Sequence, residues 1–298
     1  MLGLVNSLGL QFDGRIQYDP AQIATHDDES ATKLVAWYDF SDKDVVFTDP
    51  LITTPASNGN RIRSVSNKAW DGLTSTSTSL NKYISQPTAT TSLHPIWTAV
   101  SGLTPGYLTF AGTEFLFSSI LVGQCSAGRM GGVTLDHMNH TISFVLKNTS
   151  VTETTDHFYI SYQNASRRLA IIGLESTDDQ MHYWPEYAPS DIDSNAAFDG
   201  NDESWTIVMG EANSTGAGIR GIRIYRNGIL VDTDTSDFTA QNKDLTANAA
   251  HVEFRFGSAP GSLDQFVGRM YEFVQYNKPL SDLQLEQLNG YYASKYNI

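Results

Sequence analysis

The feature that most constrains this chain is the dipeptide Asn227-Gly228, set between two apolar-rich runs that together extend from Ile219 to Asp232. Asparagine and glycine accept the positive φ angles of a two-residue type I′ turn, so the pattern predicts an antiparallel hairpin. The chain repeats this kind of element along most of its length. Tyr107–Phe110, Phe115–Phe117, His140–Leu146, His157–Tyr162, Arg168–Leu174, Trp205–Met209 and Val252–Phe256 each alternate or run apolar over a few residues, and Phe266–Tyr276 adds a longer stretch. Strands at these spacings, with no helical repeat between them, favour a two-sheet antiparallel jelly-roll sandwich over βαβ units. Only the tail is predicted to be helical, with Ser281 as N-cap, Asp282 in the first turn, then Leu283, Leu285, Leu288, Tyr291 and Tyr292 partly at three-to-four spacing.

The globular domain is expected to start at Leu34–Phe40, a β-rich run with large side chains suited to a buried strand. Residues 1–33 are glycine-spaced and then polar, with the acidic cluster Asp27, Asp28 and Glu29, show no period long enough to make an element with its own core, and read as an N-terminal arm. A length of 298 residues is within what one all-β domain can fill, and 40% hydrophobic residues suffice for a sizeable core. Trp37, Trp70, Trp97 and Trp205 lie in or beside the expected strands and are assigned to that core. A formal net charge of −14 argues against nucleic acid, whose affinity rests on clustered Lys and Arg, and against anionic membranes. No run of about 18 apolar residues suggests a transmembrane helix. The N-terminus lacks the basic region and cleavage site of a signal peptide. Cys125 is the only cysteine, so packing rather than disulfides must hold the fold.

Tyr225–Asp232, then Phe256-Gly257-Ser258, then Phe266–Glu286 resemble the C-terminal half of laminin G-like domains of the concanavalin A type. The usual form there is Y-x-N-G, a strand carrying G-x-ϕ-x-E-ϕ-x-ϕ-Y, and a terminal helix. Leu34–Asp42 is similar to the opening strand of these domains. His94–Trp97 and Leu108–Glu114 are similar to later elements, with departures at His94, Ala111 and Glu114. The resemblance covers about residues 34–298 and implies a two-sheet jelly roll. A short segment beginning Met1-Leu2-Gly3-Leu4 ahead of that opening is similar to virion proteins of marine tailed bacteriophages. It implies a head or tail fibre or decoration subunit at the virion surface, homo-oligomeric, docked to other virion proteins through the arm and acting in attachment or glycan adhesion.

Chemistry-bearing patterns are sparse. Glycan-cleaving enzymes of this fold place carboxylates at alternate strand positions so that acid and nucleophile share a face, and no such triplet occurs. Glu175 with Asp178 and Asp179 fits a solvated turn, and nucleotide, zinc and hydrolase motifs are absent. The expectation is therefore a non-catalytic protein. A glycan hydrolase or lyase with an unrecognised carboxylate pair is one alternative, and a secreted calcium-dependent lectin another. His182–Tyr187 concentrates rings with polar tips, so Tyr183, Trp184 and Tyr187 are candidates for sugar stacking, although such rings also serve core or subunit packing. The following acidic loop sets Asp191, Asp193, Asn195, Asp199 and Asp202 at oxygen-ligand spacing. It partly matches a calcium loop, with Ala196 where a glycine turn is wanted, and fits a solvated acidic loop better. Calcium is the only cofactor suggested. Sequons at Asn139, Asn148, Asn164 and Asn213 are what a Ser/Thr/Asn-rich chain produces by chance.

Overall fold

The computed structural model describes residues 10–12, 15–24, 34–69, 83–86, 88–121, 129–130, 133–134, 140–149, 157–164, 167–174, 180–185, 192–197, 200–211, 220–234, 251–258 and 265–298. Two large sheets dominate. The first runs in the order β19 (Ile229–Asp234), β18 (Arg220–Arg226), β17 (Glu203–Glu211), β12 (His140–Asn148), β21 (Val267–Tyr276), β8 (Tyr107–Ala111) and β7 (Ile96–Thr98), and β3 (Leu34–Asp39) also pairs with β21. The second runs β16 (Ile192–Ala197), β15 (Gln180–Pro185), β14 (Arg167–Leu174), β13 (His157–Asn164), β20 (His251–Phe256), β9 (Leu116–Leu121), β6 (Tyr83–Ser85), β5 (Ser64–Ser66) and β4 (Val46–Phe47). Every pairing in both sheets is antiparallel. The fold is thus the predicted antiparallel two-sheet sandwich of jelly-roll type. Two small ribbons, β1 (Leu10–Phe12) with β2 (Arg15–Gln17) and β10 (Arg129–Met130) with β11 (Val133–Thr134), complete the described strands.

Period-2 alternation builds the core. Ile142 and Phe144 of β12, Trp205, Ile207 and Met209 of β17, and Ile222 and Ile224 of β18 are buried from the first sheet, and Phe254, Phe256, Ile172 and Tyr183 meet them from the second. At the centre Phe273 of β21 stands 5.3 Å from Phe254 and 5.1 Å from Phe256, ring centre to ring centre, with Tyr38 at 6.2 Å. Such offset and edge contacts add to area burial. Trp37, Trp97 and Trp205 are buried as expected, whereas Trp70 and Cys125 lie outside the described residues. The hairpin forms at the predicted turn, with φ of +48° at Asn227 and +75° at Gly228, and the Asn227 side chain accepts from the Ser204 amide at 2.8 Å.

A second apolar cluster lies on the other face of the first sheet. There α2 (Asp282–Tyr296) packs Leu288, Tyr292 and Tyr296 against Val145, Tyr271, Val274 and Tyr276. Ser281 caps it in a box with Gln284, as its sequence position predicts. The arm contributes a short element to this cluster. Pro20–Ile23 forms one helical turn, α1, capped by Asp19 and Gln22, with Ile23 fully buried in this second cluster. The Tyr276 hydroxyl donates to the Pro20 carbonyl at 3.0 Å, and the buried Gln284 amide donates to the Ile23 carbonyl at 3.0 Å. A single turn is too short to show a period, so only its contacts reveal it. No described helix is long and apolar enough to cross a membrane. Asn148 is fully buried at the end of β12, a poor setting for a glycan acceptor.

Replacing Phe273 by Ala removes the ring on which both sheets converge and should cost about 3–5 kcal/mol. Urea unfolding of the variant and the parent, compared at equal slope, measures this loss. A change under about 1 kcal/mol would mean that the two sheets do not share this core.

Candidate functional site

The two adjacent rings proposed for sugar stacking are separated by the strand that carries them. Tyr183 is fully buried, its hydroxyl 3.3 Å from His140 Nε2 and 3.6 Å from Met209 Sδ, and belongs to the core between the sheets. That corrects its assignment as a stacking residue, because a strand sends neighbouring residues to opposite faces. Trp184 is the next backbone position of β15, where it pairs with Ile171. Tyr187 lies outside the described residues.

The register extends the Trp184 position into a line across six of the nine strands of the sheet. Trp184 pairs with Ile171, Ile171 with Ser161, Ser161 with Arg255, Arg255 with Phe117, and Phe117 with Ser85. Their alternate neighbours Tyr183, Ile172, Phe254, Phe256, Leu116 and Ile84 are all buried, which fixes this line as the outward row. In it the Arg255 guanidinium stands over two half-buried rings, 4.7 Å from the centre of Phe115 and 5.5 Å from that of Phe117, and the two rings are 5.9 Å apart. A planar cation over ring faces is attracted by their quadrupole. Nothing in the sequence alone singled out Phe115, Phe117 or Arg255, since the signal is the register that aligns two strands far apart in the chain, β9 and β20. Among the described residues no helix packs on this face.

The acidic segment is not a continuous loop. Asp193 and Asn195 sit on β16, the edge strand of the second sheet, and Asp191 and Asp199 lie outside the described residues. Asp202 enters β17 in the first sheet, where it accepts from the Tyr271 hydroxyl at 2.8 Å. Glu175, Asp178 and Asp179 also lie outside the described residues. Among the described residues no group of three or more His, Cys, Asp or Glu side chains is gathered as a metal would need.

Solved structures share parts of this architecture. The fourth domain of AbnA, an extracellular arabinanase from Geobacillus stearothermophilus solved with arabinotriose, aligns over 87% of this chain and 100% of its own at 16% identity and a TM-score of 0.47. A Trypanosoma rangeli sialidase solved with difluorosialic acid aligns over 86% of this chain and 32% of its own, at 9% identity and a TM-score of 0.48. A botulinum neurotoxin type C structure, titled for cell entry through two ganglioside molecules, aligns over 64% and 40% at 16% identity and 0.40. This chain thus spans about a third of the sialidase it aligns with. No family model and no curated protein matches the sequence.

The most perturbed ionisable groups lie on the opposite side of the sandwich, beneath α2. Asp39 of β3 and Glu272 of β21 are direct cross-strand partners and both are buried. Trp37 Nε1, the Tyr291 and Tyr296 hydroxyls and the Lys295 ammonium all donate to Glu272. Lys295 also pairs with Asp39 at 2.9 Å, and Lys68 does so at 3.0 Å while stacking 4.2 Å above the Trp37 ring. Burial pushes the Glu272 carboxyl above its usual range against the pull of Lys295. Burial acts the same way on Asp39, but there Lys295 and Lys68 prevail and hold it below. Two carboxyls driven apart in this way resemble an acid and base pair. Glu272 is fully buried and Asp39 is 4% exposed under the helix, so no substrate reaches them and their role is to seat α2.

Glu272→Ala should therefore cost about 3–5 kcal/mol, because Lys295 and three ring-borne donors lose a buried partner. Thermal unfolding of that variant measures the loss, and a shift near zero would sink the structural role. A pH dependence follows from the phenols. Burial raises Tyr38, Tyr183, Tyr276, Tyr291, Tyr292 and Tyr296 above the ordinary tyrosine value. Their folded pKa exceeds the unfolded value of about 10, so their contribution is complete below that pH and is lost as pH rises through it. The part of the phenolate absorbance that these buried rings contribute should appear together with the loss of circular dichroism in alkali. Full ionisation of these rings in a still-folded chain would contradict it.

Proposed function

We propose that this chain is a non-catalytic attachment domain that grips glycans on the outer face of its second sheet, and that it does so at a virion surface. The observation that carries the reading is the Phe115–Phe117 ring pair with Arg255 above it, in register with Trp184 across β9, β20, β13, β14 and β15. Rings offer apolar faces to the C–H faces of sugars, the guanidinium offers donors to their hydroxyls, and Ser85 and Ser161 stand in the same row. A broad, shallow row of this kind suits an extended chain of sugar units rather than a single small molecule. The sealed Asp39–Glu272 pair supports binding without turnover. The virion setting and a homo-oligomeric assembly there follow the sequence resemblance. The docking segment in this reading is the N-terminal arm, residues 1–33, of which Ile23 and Ala24 pack in the second apolar cluster.

Binding of the intact chain to the extended polysaccharides of a glycan array should be weakened by about tenfold in Arg255→Ala and in Phe117→Ala, the factor that ~1.4 kcal/mol of contact corresponds to. Unchanged array profiles in both variants, or release of reducing ends from a bound polysaccharide, would overturn the reading. Detection of the chain in purified particles by mass spectrometry tests the setting separately.

A further inference from the structure

A second recess opens on the other side of the molecule. A groove of about 470 Å³ runs along the outer face of the first sheet between the β18–β19 hairpin and the N-terminal half of α2. This volume lies within the ~300–1,000 Å³ typical of ligand sites. Its floor carries Ser204 and Thr206, one wall Arg223 and Tyr225, the other Asp282 and Asn289. Alternation explains the floor and the first wall. Trp205, Ile222 and Ile224 point into the core, so Ser204, Thr206, Arg223 and Tyr225 project to this side.

The hairpin and the helix hold the groove at a set width. Gly228, at φ +75°, packs so closely that a Cβ there would lie 2.3 Å from Asn289 Cγ. One end is thereby closed by turn against helix. Arg223 Nη1 donates to the Tyr225 hydroxyl at 3.0 Å and to Asp282 Oδ1 at 3.2 Å. The Asp282 side chain is 91% exposed and that of Arg223 is 22% exposed, so the pair bridges the groove at its mouth, where water screens it.

We infer that this groove is a saccharide site independent of the second sheet's face, and that it takes one or two pyranose units of a neutral glycan. A guanidinium only donates, a carboxylate only accepts, and an amide does both. Arg223 and Asp282 offer a donor and an acceptor side by side, which is what vicinal ring hydroxyls match, and Asn289 offers both from two helical turns further along the groove. The Tyr225 ring and Leu230 supply apolar surface beside them. Asp282 and Glu286 outnumber Arg223 in the lining, so the groove is net negative and an anionic sugar is disfavoured.

The test uses the full chain and the methyl glycosides of glucose, galactose, mannose and N-acetylglucosamine, read by saturation-transfer NMR and calorimetry. At least one glycoside should bind the parent and the Arg255→Ala chain alike, and its affinity should fall by about tenfold in Arg223→Ala and in Asp282→Asn. Asp282 is exposed, so Asp282→Asn keeps the test valid if Arg223→Ala unfolds, and circular dichroism checks both. Absence of binding by all four glycosides overturns the site. So does binding that survives unchanged in Asp282→Asn, or that Arg255→Ala abolishes, since the second of these outcomes would move recognition to the other sheet.

Discussion

The carboxylate of Glu272 is the point on which the rest of the molecule turns. A fully buried carboxylate must be surrounded by donors, or its desolvation opposes folding by several kcal/mol. Here the donors come from β3 through Trp37 and from α2 through Tyr291, Lys295 and Tyr296, so satisfying one oxygen pair fixes both the strand pairing and the seat of the helix. A register shift opposite Val145 and Leu146 contributes as well. It lets Tyr271 join Glu272 on the outer side while Met270 and Phe273 stay in the inter-sheet core. β21 is therefore committed on both faces, the aromatic core on one and the ionic clamp on the other.

This commitment makes the two sheets unequal. The outer face of the first is roofed along its centre by α2 and α1, and what remains open is the margin where the β18–β19 hairpin meets the start of the helix. The outer face of the second has no described helix over it, yet it carries Phe115 and Phe117 half-buried under Arg255. In the glycan-binding reading, half-buried rings beside a guanidinium favour a hydroxyl-rich partner. Such a partner supplies C–H faces for the rings without demanding that further charge be buried.

Much of the fold was legible in the sequence because its determinants are local. Asn227-Gly228 dictates its own turn, Ser281 and Gln284 their own cap, and the alternation in Val252–Phe256 its own face. α1 was not legible, since a single turn with one buried apolar side chain, Ile23, has no periodicity and is defined by long-range bonds from Tyr276 and Gln284. β16 was hidden for a different reason. Asp193 and Asn195 carry turn-forming side chains, and the pairing of β15 with Ile192, Asp193 and Ala197 overrides that local preference. Glu114 departs from the Asx residue of the resembling motif. It nonetheless closes the Gly112 turn by accepting from the Ala111 and Thr113 amides at 2.7 and 3.1 Å, so the longer side chain does the shorter one's work.

The candidate site was half legible, and the half that failed shows why. Composition pointed to the aromatic run His182–Tyr187, but composition has no faces, whereas a strand does. Once β15 pairs with β14, a shift of one residue would exchange Tyr183 and Trp184 between core and surface, and the burial of Met181 and Tyr183 together decides which of them is inside. The partners of Trp184 then follow from register alone, through Ile171 and Ser161 to Arg255 and Phe117, residues more than 60 positions away in the sequence and on strands that precede and follow β15 in the chain. A recognition surface of this kind cannot be a motif in the linear sense. It exists only because the aromatic core behind it pins five strands in one register, so a change that let that core slip would dissolve the row without touching any of its members.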